Sequence, residues 1–310
     1  MALKALKTEQ RNPRTGGLDR KSTLGILRVL NGEDARVALA VGRELPKIAR
    51  AVDAIVKSFR VGGRLFYVGA GTSGRLAVLD AAECPPTFGT SPKLVRAIIA
   101  GGSRAVQGAV EGAEDSAKNG ARDLRKAGVK AGDVVVGLAA SGTTPYVIGA
   151  VQLAKKRGAV TVGVTSNSRS PLARIAKIAI APDTGPEAIS GSTRLKAGTA
   201  QKMVLNLLST ASMVRLGRVY ENWMVYVALT NHKLRQRGAR ILQEASGATV
   251  SAAEQALRQS QHNLPVALVM LKTGANAREA RQRLQQSGGN VRQALESRAA
   301  KEPSAPRKRN

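Results

Sequence analysis

The chain is poor in the residues that usually announce a metal or redox site. Its 310 residues include one cysteine, Cys84, and two histidines, His232 and His262. A single cysteine cannot close an internal disulfide, which fits a reducing compartment. With no Cys/His cluster, there is no ligand set for a structural zinc, and no metal is expected. Aromatic residues make up 3% of the chain, leaving few rings to stack on nucleic-acid bases. No run of about 18 apolar residues occurs, so no segment is expected to span a membrane. Residues 1–17 are polar and basic with no apolar stretch. A secretory signal is therefore not expected, and the cytoplasm is the expected location.

Acidic residues are also scarce. There are 21 Asp and Glu against 49 Lys and Arg, a net charge of +28. Such a balance raises nucleic-acid binding first. However, the basic residues are spread along the whole chain, with a local run only at Arg307-Lys308-Arg309. The reading is a solvated basic surface with no specific nucleic-acid partner, whose field would draw in small anionic substrates. The length and a hydrophobic content of 43% suffice for a full core in one or two domains.

Residues 1–20 read as an irregular leader. A first helix is expected after Ser22-Thr23, ending near Asn31-Gly32. A longer amphipathic stretch follows over about 33–59, with Val37, Val41, Leu45, Ile48, Val52 and Ile55 on one face and, because Pro46 lies inside it, a kink or break near Glu44-Leu45. Short apolar runs at 64–69, 94–100, 133–139, 160–165 and 178–181 read as buried strands. Helical stretches separate them, notably about 103–127 and 144–157. This alternation predicts an α/β fold, a doubly wound parallel sheet with helices on both faces. From Lys196 onward only helices are expected: 196–217, 222–246, and three short ones over about 250–297, forming a small C-terminal helical module. The last ten residues, KEPSAPRKRN, carry no apolar pattern and are expected to be disordered.

Two Gly-rich loops carry the chemistry. VGAGTSGR, residues 68–75, follows a predicted strand and opens a helix. Its glycines allow close backbone approach, and the helix start offers free N–H groups to an anion. Gly69 to Gly74 also match G-x-G-x-x-G, but no acidic residue suited to a ribose lies about 20 residues on, which argues against NAD. AASGTTP, residues 139–145, repeats the strand–loop–helix arrangement. Either loop alone could be a turn with a helix cap. Together they point to a phosphate held by their hydroxyls and helix N-termini without a metal. Two acidic groups stand out: DAAECPP, residues 80–86, where the proline pair should stop the helix, and EGAED, residues 111–115. By spacing alone Glu83 reads first as a surface charge and Glu114 as a capping carboxylate. ISGSTRLKAGTAQK, residues 189–202, could supply cations to an anionic substrate or simply start a helix.

Taken as literal strings, VGAGTSGRLAVLDAAECPPTFG, AVEGAED, VVVGLAASGTTPYVIGA and STRLKAGTAQKMVLNLLST resemble the N-acetylmuramic acid 6-phosphate etherase family, built on the sugar isomerase (SIS) domain. TEQRN, NGEDARV and SGGNVRQAL fit the same pattern, so the resemblance spans roughly residues 7–297. It implies a flavodoxin-like SIS sheet over 55–218, preceded by leader and helices over 1–54. It also implies a helical region over 219–297 ending in a bundle of ubiquitin-associated type; residues 298–310 would form the basic tail. The implied enzyme is a carbon–oxygen lyase without cofactor. It would release D-lactate from N-acetylmuramic acid 6-phosphate to give N-acetylglucosamine 6-phosphate, in recycling of cell-wall muramic acid. The family's catalytic pair maps onto Glu83 as acid and Glu114 as base, its phosphate loops map onto Gly71, Thr72, Ser73, Ser141, Gly142 and Thr144, and a homodimer sharing its sites is implied.

The family pattern carries a basic residue where this chain has Thr143. Arg194 and Lys196 are the residues expected to meet the lactyl carboxylate instead. Two rivals share the fold: a phosphosugar-sensing regulator, which needs no acid–base pair, and an aldose–ketose isomerase, which needs no lactyl recognition.

Overall fold

The computed structural model describes residues 7–297. The expected basic tail, residues 298–310, lies outside the described residues. The chain forms two compact units. Among the described residues the first comprises 7–85 with Thr90–Ser212, and the second Pro86–Gly89 with 213–297.

The leader runs as three short 3-10 turns, Lys7–Glu9, Pro13–Thr15 and Leu18–Arg20. Helices α1 (Thr23–Gly42) and α2 (Leu45–Arg60) follow. The expected end near Asn31-Gly32 is not there, and α1 runs unbroken to Gly42, 20 residues in all. An exposed mid-helix glycine costs only about 1 kcal/mol, and the helix beyond it buries Glu33, Val37, Ala40 and Val41. The break does fall before Pro46, which takes its place in the first turn of α2.

Five strands come next: β1 (Leu65–Gly69), β2 (Val95–Ile99), β3 (Val134–Leu138), β4 (Val160–Val164) and β5 (Ile178–Ile180). All pair in parallel in the order β2-β1-β3-β4-β5. LFYVG and VVVGL are buried at every position, as strands covered on both faces must be. Between the strands lie α3 (Gly71–Phe88), α4 (Arg104–Gln107), α5 (Ala117–Lys126), α6 (Pro145–Lys156) and α7 (Pro171–Ile175), and α8 (Lys196–Arg215) follows the sheet.

On one face Phe66, Val68 and Val135 pack with Leu124 of α5, Tyr146, Val147 and Val151 of α6, and Leu172 of α7. The two helices α5 and α6 touch backbone to backbone. A methyl on Gly120 would lie 1.9 Å from the Tyr146 carbonyl oxygen, and one on Gly149 2.1 Å from that of Ala117. On the other face Tyr67 donates its hydroxyl to Asp80 of α3 at 3.0 Å. Asn206 and Ser209 of α8 donate to the same carboxylate at 2.8 and 3.0 Å.

The chain leaves β1 towards β2 on one side and returns to β3 on the other, so β1 and β3 meet at a topological switch point. In open α/β sheets the crevice at the carboxyl ends of such a strand pair is where ligands bind.

Three expectations about helices change. The Pro85-Pro86 pair does not stop α3, which runs on to Phe88. The carbonyls that lose donors to the prolines, Ala81 and Ala82, belong to half-buried and exposed residues, where water can replace the missing bonds. The stretch 103–127 divides into α4 and α5 around an irregular segment, residues 108–116. The predicted helix 222–246 is only α9 (His232–Ser246), capped by Asn231. The residues before it place Val225 and Val227 in the second unit's core with Trp223, Met224 and Tyr226 packed against it, an apolar run with no helical period.

The second unit then has four short helices rather than three: α10 (Val250–Gln259), α11 (Leu264–Thr273), α12 (Ala277–Gln286) and α13 (Val291–Glu296). Each has its own side-chain cap, from Thr249, Asn263, Asn276 and Asn290. One such cap is typically worth ~1 kcal/mol, which lets helices this short stand apart. Among the described residues no helix is long and apolar enough to cross a membrane.

Cys84 is buried in α3 with its thiol donating to the Asp80 carbonyl at 3.3 Å. Burial first, then the charges of Asp80 and Glu83, push its pKa up to about 12. Since the thiolate is the nucleophile, native protein at pH 8 is expected to resist iodoacetamide and to label once unfolded in guanidinium. Stoichiometric labelling of native protein would contradict this burial.

Candidate functional site

The first loop is set by glycine geometry. β1 ends at Gly69 and α3 begins at Gly71, whose φ is +51°. A side chain on Gly69 would sit 2.7 Å from the Gly74 nitrogen, so the turn closes tightly on itself. Gly71 is exposed, Thr72 half-buried and Ser73 buried at 9% exposure. The first N–H groups of an α-helix have no helical acceptor, and they make this end electropositive.

The second loop joins β3 to α6. Gly142 has φ +71°, and a Cβ there would lie 2.2 Å from the Ser170 Oγ and 2.6 Å from the Thr165 Oγ1. Asn167 Nδ2 donates to the carbonyls of Ala140 and Ser141 at 3.1 and 3.2 Å, and Thr165 Oγ1 donates to that of Ala140 at 3.1 Å. These bonds consume the loop's carbonyls. Ser141 Oγ accepts from the Thr143 nitrogen at 3.2 Å and from its hydroxyl at 2.9 Å. Thr143, standing where the family pattern has a basic residue, therefore orients Ser141. Thr144 sits at the N-cap of α6 and its side chain makes no capping bond, which leaves the hydroxyl uncommitted to the helix.

Glu114 lies exposed in the irregular segment after α4. Its carbonyl accepts from the Tyr146 nitrogen at 3.0 Å, which ties the segment to the start of α6. A cavity of about 290 Å³ is lined by Gly71 and Arg75 from the first loop and α3, and by Glu111, Glu114 and Asp115. The chain thus brings Gly71 of the first loop and Glu114 to one opening, while Thr72, Ser73, Ser141, Gly142 and Thr144 do not line it. Glu83 does not line it. It is exposed on α3, twelve residues beyond Gly71, a distance of roughly 18 Å along the axis at 1.5 Å per residue.

Of the two expected cations, Lys196 is not open to a ligand. Its side chain is 1% exposed. Its amine donates to Glu33 Oε2 at 2.6 Å and to the Thr184 carbonyl at 2.8 Å. Asn12 Nδ2 donates to the same Glu33 oxygen at 2.7 Å, and Arg14 donates to both oxygens. The Arg14 guanidinium, helped by Lys196 and Asn12, outweighs burial and pulls the Glu33 carboxyl down to about 2. A buried ammonium needs such a partner, since an unpaired one would not stay charged. Glu187, fully buried, accepts from the Lys196 and Ala197 nitrogens at 3.0 and 2.9 Å and so caps α8. Burial raises its pKa. Arg194 is exposed in the turn before α8. The start of α8 adjoins the first loop, since a methyl on Gly198 would stand 3.5 Å from the Thr72 Cγ2.

Sequence reasoning passed over Glu33, Arg75 and Glu187. Glu33 had a signal, because it lies four residues before Val37 on the apolar face of its helix. A carboxylate at such a position is buried and needs a cation. Glu187 and Arg75 had none.

The doubly wound sheet, its switch point and the two Ser/Thr/Gly loops facing it define a SIS-type α/β protein. The family model for the glucokinase regulatory protein N-terminal SIS domain matches residues 47–172. The chain is 51% identical over 294 residues to the N-acetylmuramic acid 6-phosphate etherase of Geobacillus thermodenitrificans, covering 95% of this chain and 100% of that protein. It is 54% identical over 295 residues to the etherase of Serratia proteamaculans, covering 95% and 99%. It belongs to the N-acetylmuramic acid 6-phosphate etherase family. Among solved structures, a phosphoheptose isomerase of Neisseria gonorrhoeae aligns with a TM-score of 0.48 at 17% identity, covering 62% of this chain and 98% of that one.

Proposed function

We propose that the protein is a carbon–oxygen lyase that releases D-lactate from N-acetylmuramic acid 6-phosphate, leaving N-acetylglucosamine 6-phosphate, in the recycling of muramic acid. The observation that carries this reading is the meeting of Glu114 with Gly71 of the first loop around one cavity, in a chain more than half identical to named etherases over nearly its whole length. The sugar phosphate is held by Gly71, Thr72, Ser73, Ser141, Gly142 and Thr144. Arg194, not the buried Lys196, meets the lactyl carboxylate.

The reaction proceeds on the open-chain sugar. Its C2 hydrogen lies beside the aldehyde and is acidic. The Glu114 carboxylate takes that proton, the C3–O bond breaks, and Glu83 gives its proton to the departing lactate oxygen. The resulting 2,3-unsaturated aldehyde then adds water at C3, with Glu83 taking a proton from the water and Glu114 returning one to C2. The phosphate, far from the reacting bond, supplies the binding energy that fixes the geometry.

The position of Glu83 supports a homodimer. With Glu83 roughly 18 Å along α3 from the first loop, one chain does not assemble the whole set, and a second copy supplies the missing carboxylate. The working location is the cytoplasm.

The test is lactate release from N-acetylmuramic acid 6-phosphate without added metal or nucleotide. Stoichiometric lactate and N-acetylglucosamine 6-phosphate are expected. No lactate from folded protein that still binds the sugar phosphate would replace the lyase by a phosphosugar sensor.

A further inference from the structure

We infer that Arg75 is a positioning residue that holds the Glu114 segment over the phosphate loop. The kinetic part of this inference rests on the etherase reading. Residues 108–116 have no regular structure, contain Gly108 and Gly112, and are mostly exposed. Their internal turns are long, with Ala113 to Val110 and Asp115 to Gly112 both at 3.3 Å. Something outside the segment must therefore hold it.

Two anchors do so. At the far end the Tyr146 nitrogen binds the Glu114 carbonyl at 3.0 Å. At the near end the Arg75 guanidinium donates through Nε to the Val106 carbonyl at 3.1 Å and through Nη2 to the Gly108 carbonyl at 2.7 Å. Arg75 stands in the first turns of α3, four residues after Gly71, and lines the cavity with Gly71 and Glu114. It makes no ion pair within 4.0 Å of Glu111, Glu114 or Asp115 among the described residues. Its link to the segment runs through the two carbonyls. A planar fork can hold two carbonyls in a fixed geometry, and a lysine ammonium of similar charge cannot reproduce that geometry. The helix that opens the phosphate loop therefore sets where the carboxylate segment stands, and a seated phosphate and a placed base become one rigid arrangement.

Arg75→Ala and Arg75→Lys test this in two ways. Amide hydrogen exchange of residues 105–116 is expected to speed up in both variants, with the global unfolding midpoint little changed. This arm does not depend on any activity. In the lactate assay kcat is expected to fall by up to about 10²-fold in Arg75→Ala, the scale of a roughly 1 Å misplacement, with KM unchanged. Arg75→Lys is expected to recover little, although it keeps the charge. In a Glu114→Gln background the Arg75→Ala loss should nearly vanish, because the group it positions is already gone. Unchanged exchange and unchanged kcat would overturn the inference. A raised KM that persists in the Glu114→Gln background would overturn it too, by making Arg75 a substrate contact. If wild type releases no lactate, the etherase reading fails, while the exchange arm still decides whether Arg75 holds the segment.

Discussion

Glu114→Gln and Glu83→Gln, each folded, are expected to release lactate 10²- to 10⁴-fold more slowly than wild type, the range that one acid–base step supplies. The two variants should also differ from each other. Glu114 acts on the C2 hydrogen, so its loss should abolish exchange of that hydrogen with deuterated water in the unreacted N-acetylmuramic acid 6-phosphate. Glu83 acts at C3, and its loss should spare some of that exchange.

Mixing the two variants tests how the site is assembled. If Glu83 and Glu114 of one site come from different copies, a mixed dimer has one intact site and one doubly impaired site. Random mixing makes half the dimers mixed, so about a quarter of wild-type activity should return. If both residues of a site come from the same copy, every site in a mixed dimer lacks one of them and nothing returns. That outcome would remove the shared-site argument and leave Glu83 unexplained.

Lys196→Ala is expected to destabilise the protein by about 1.5–3 kcal/mol, the worth of a buried hydrogen bond to a charged group, since Arg14 still balances the carboxylate. Glu33 is 3% exposed and would keep Arg14 and Asn12 but lose the ammonium 2.6 Å away. The double variant Glu33→Leu/Lys196→Met should recover most of this loss, because apolar groups of similar volume replace both charges together. Urea unfolding midpoints at constant m-value decide the matter. A Lys196→Ala variant as stable as wild type would mean that solvent reaches Glu33.

The same carboxylate, held down first by Arg14 and then by Lys196, sets an acid limb. The Glu33 carboxyl titrates at about 2 in the fold against 4.5 as its ordinary value. Its contribution is therefore fully present above the unfolded value and is lost as pH falls from 4.5 through 2. A shift of this size corresponds to about 3 kcal/mol. Wild type should lose stability across that window, and the Leu/Met double variant should lose less.

These residues show what was legible in advance. The five strands could be located from their apolar runs because parallel strands buried on both faces tolerate little else. Both Gly-rich loops were equally visible, because only glycine permits Gly69 to pack against Gly74 and Gly142 against Ser170. Local competition was harder to read. The proline pair at 85–86 looked like a stop, yet α3 continues because its freed carbonyls lie at half-buried and exposed residues. Consecutive apolar residues at 223–227 looked helical in bulk, yet they lack the period that a helix face requires.

Strand positions, loop chemistry and the likeness to the etherases were determined by the sequence alone, since each depends on residues close together in the chain. What surrounds each charge was decided only by the tertiary structure. TEQRN, NGEDARV and STRLKAGTAQK are far apart in sequence, and they converge on the Glu33 carboxylate through Asn12 and Lys196. That convergence turns Lys196 from an expected substrate contact into a buried ion-pair partner. In the same way the fold places Glu114 beside Gly71 and leaves Glu83 far along α3. A side chain's charge is written in the sequence, but its desolvation and its partners depend on distances between segments, and only folding sets those.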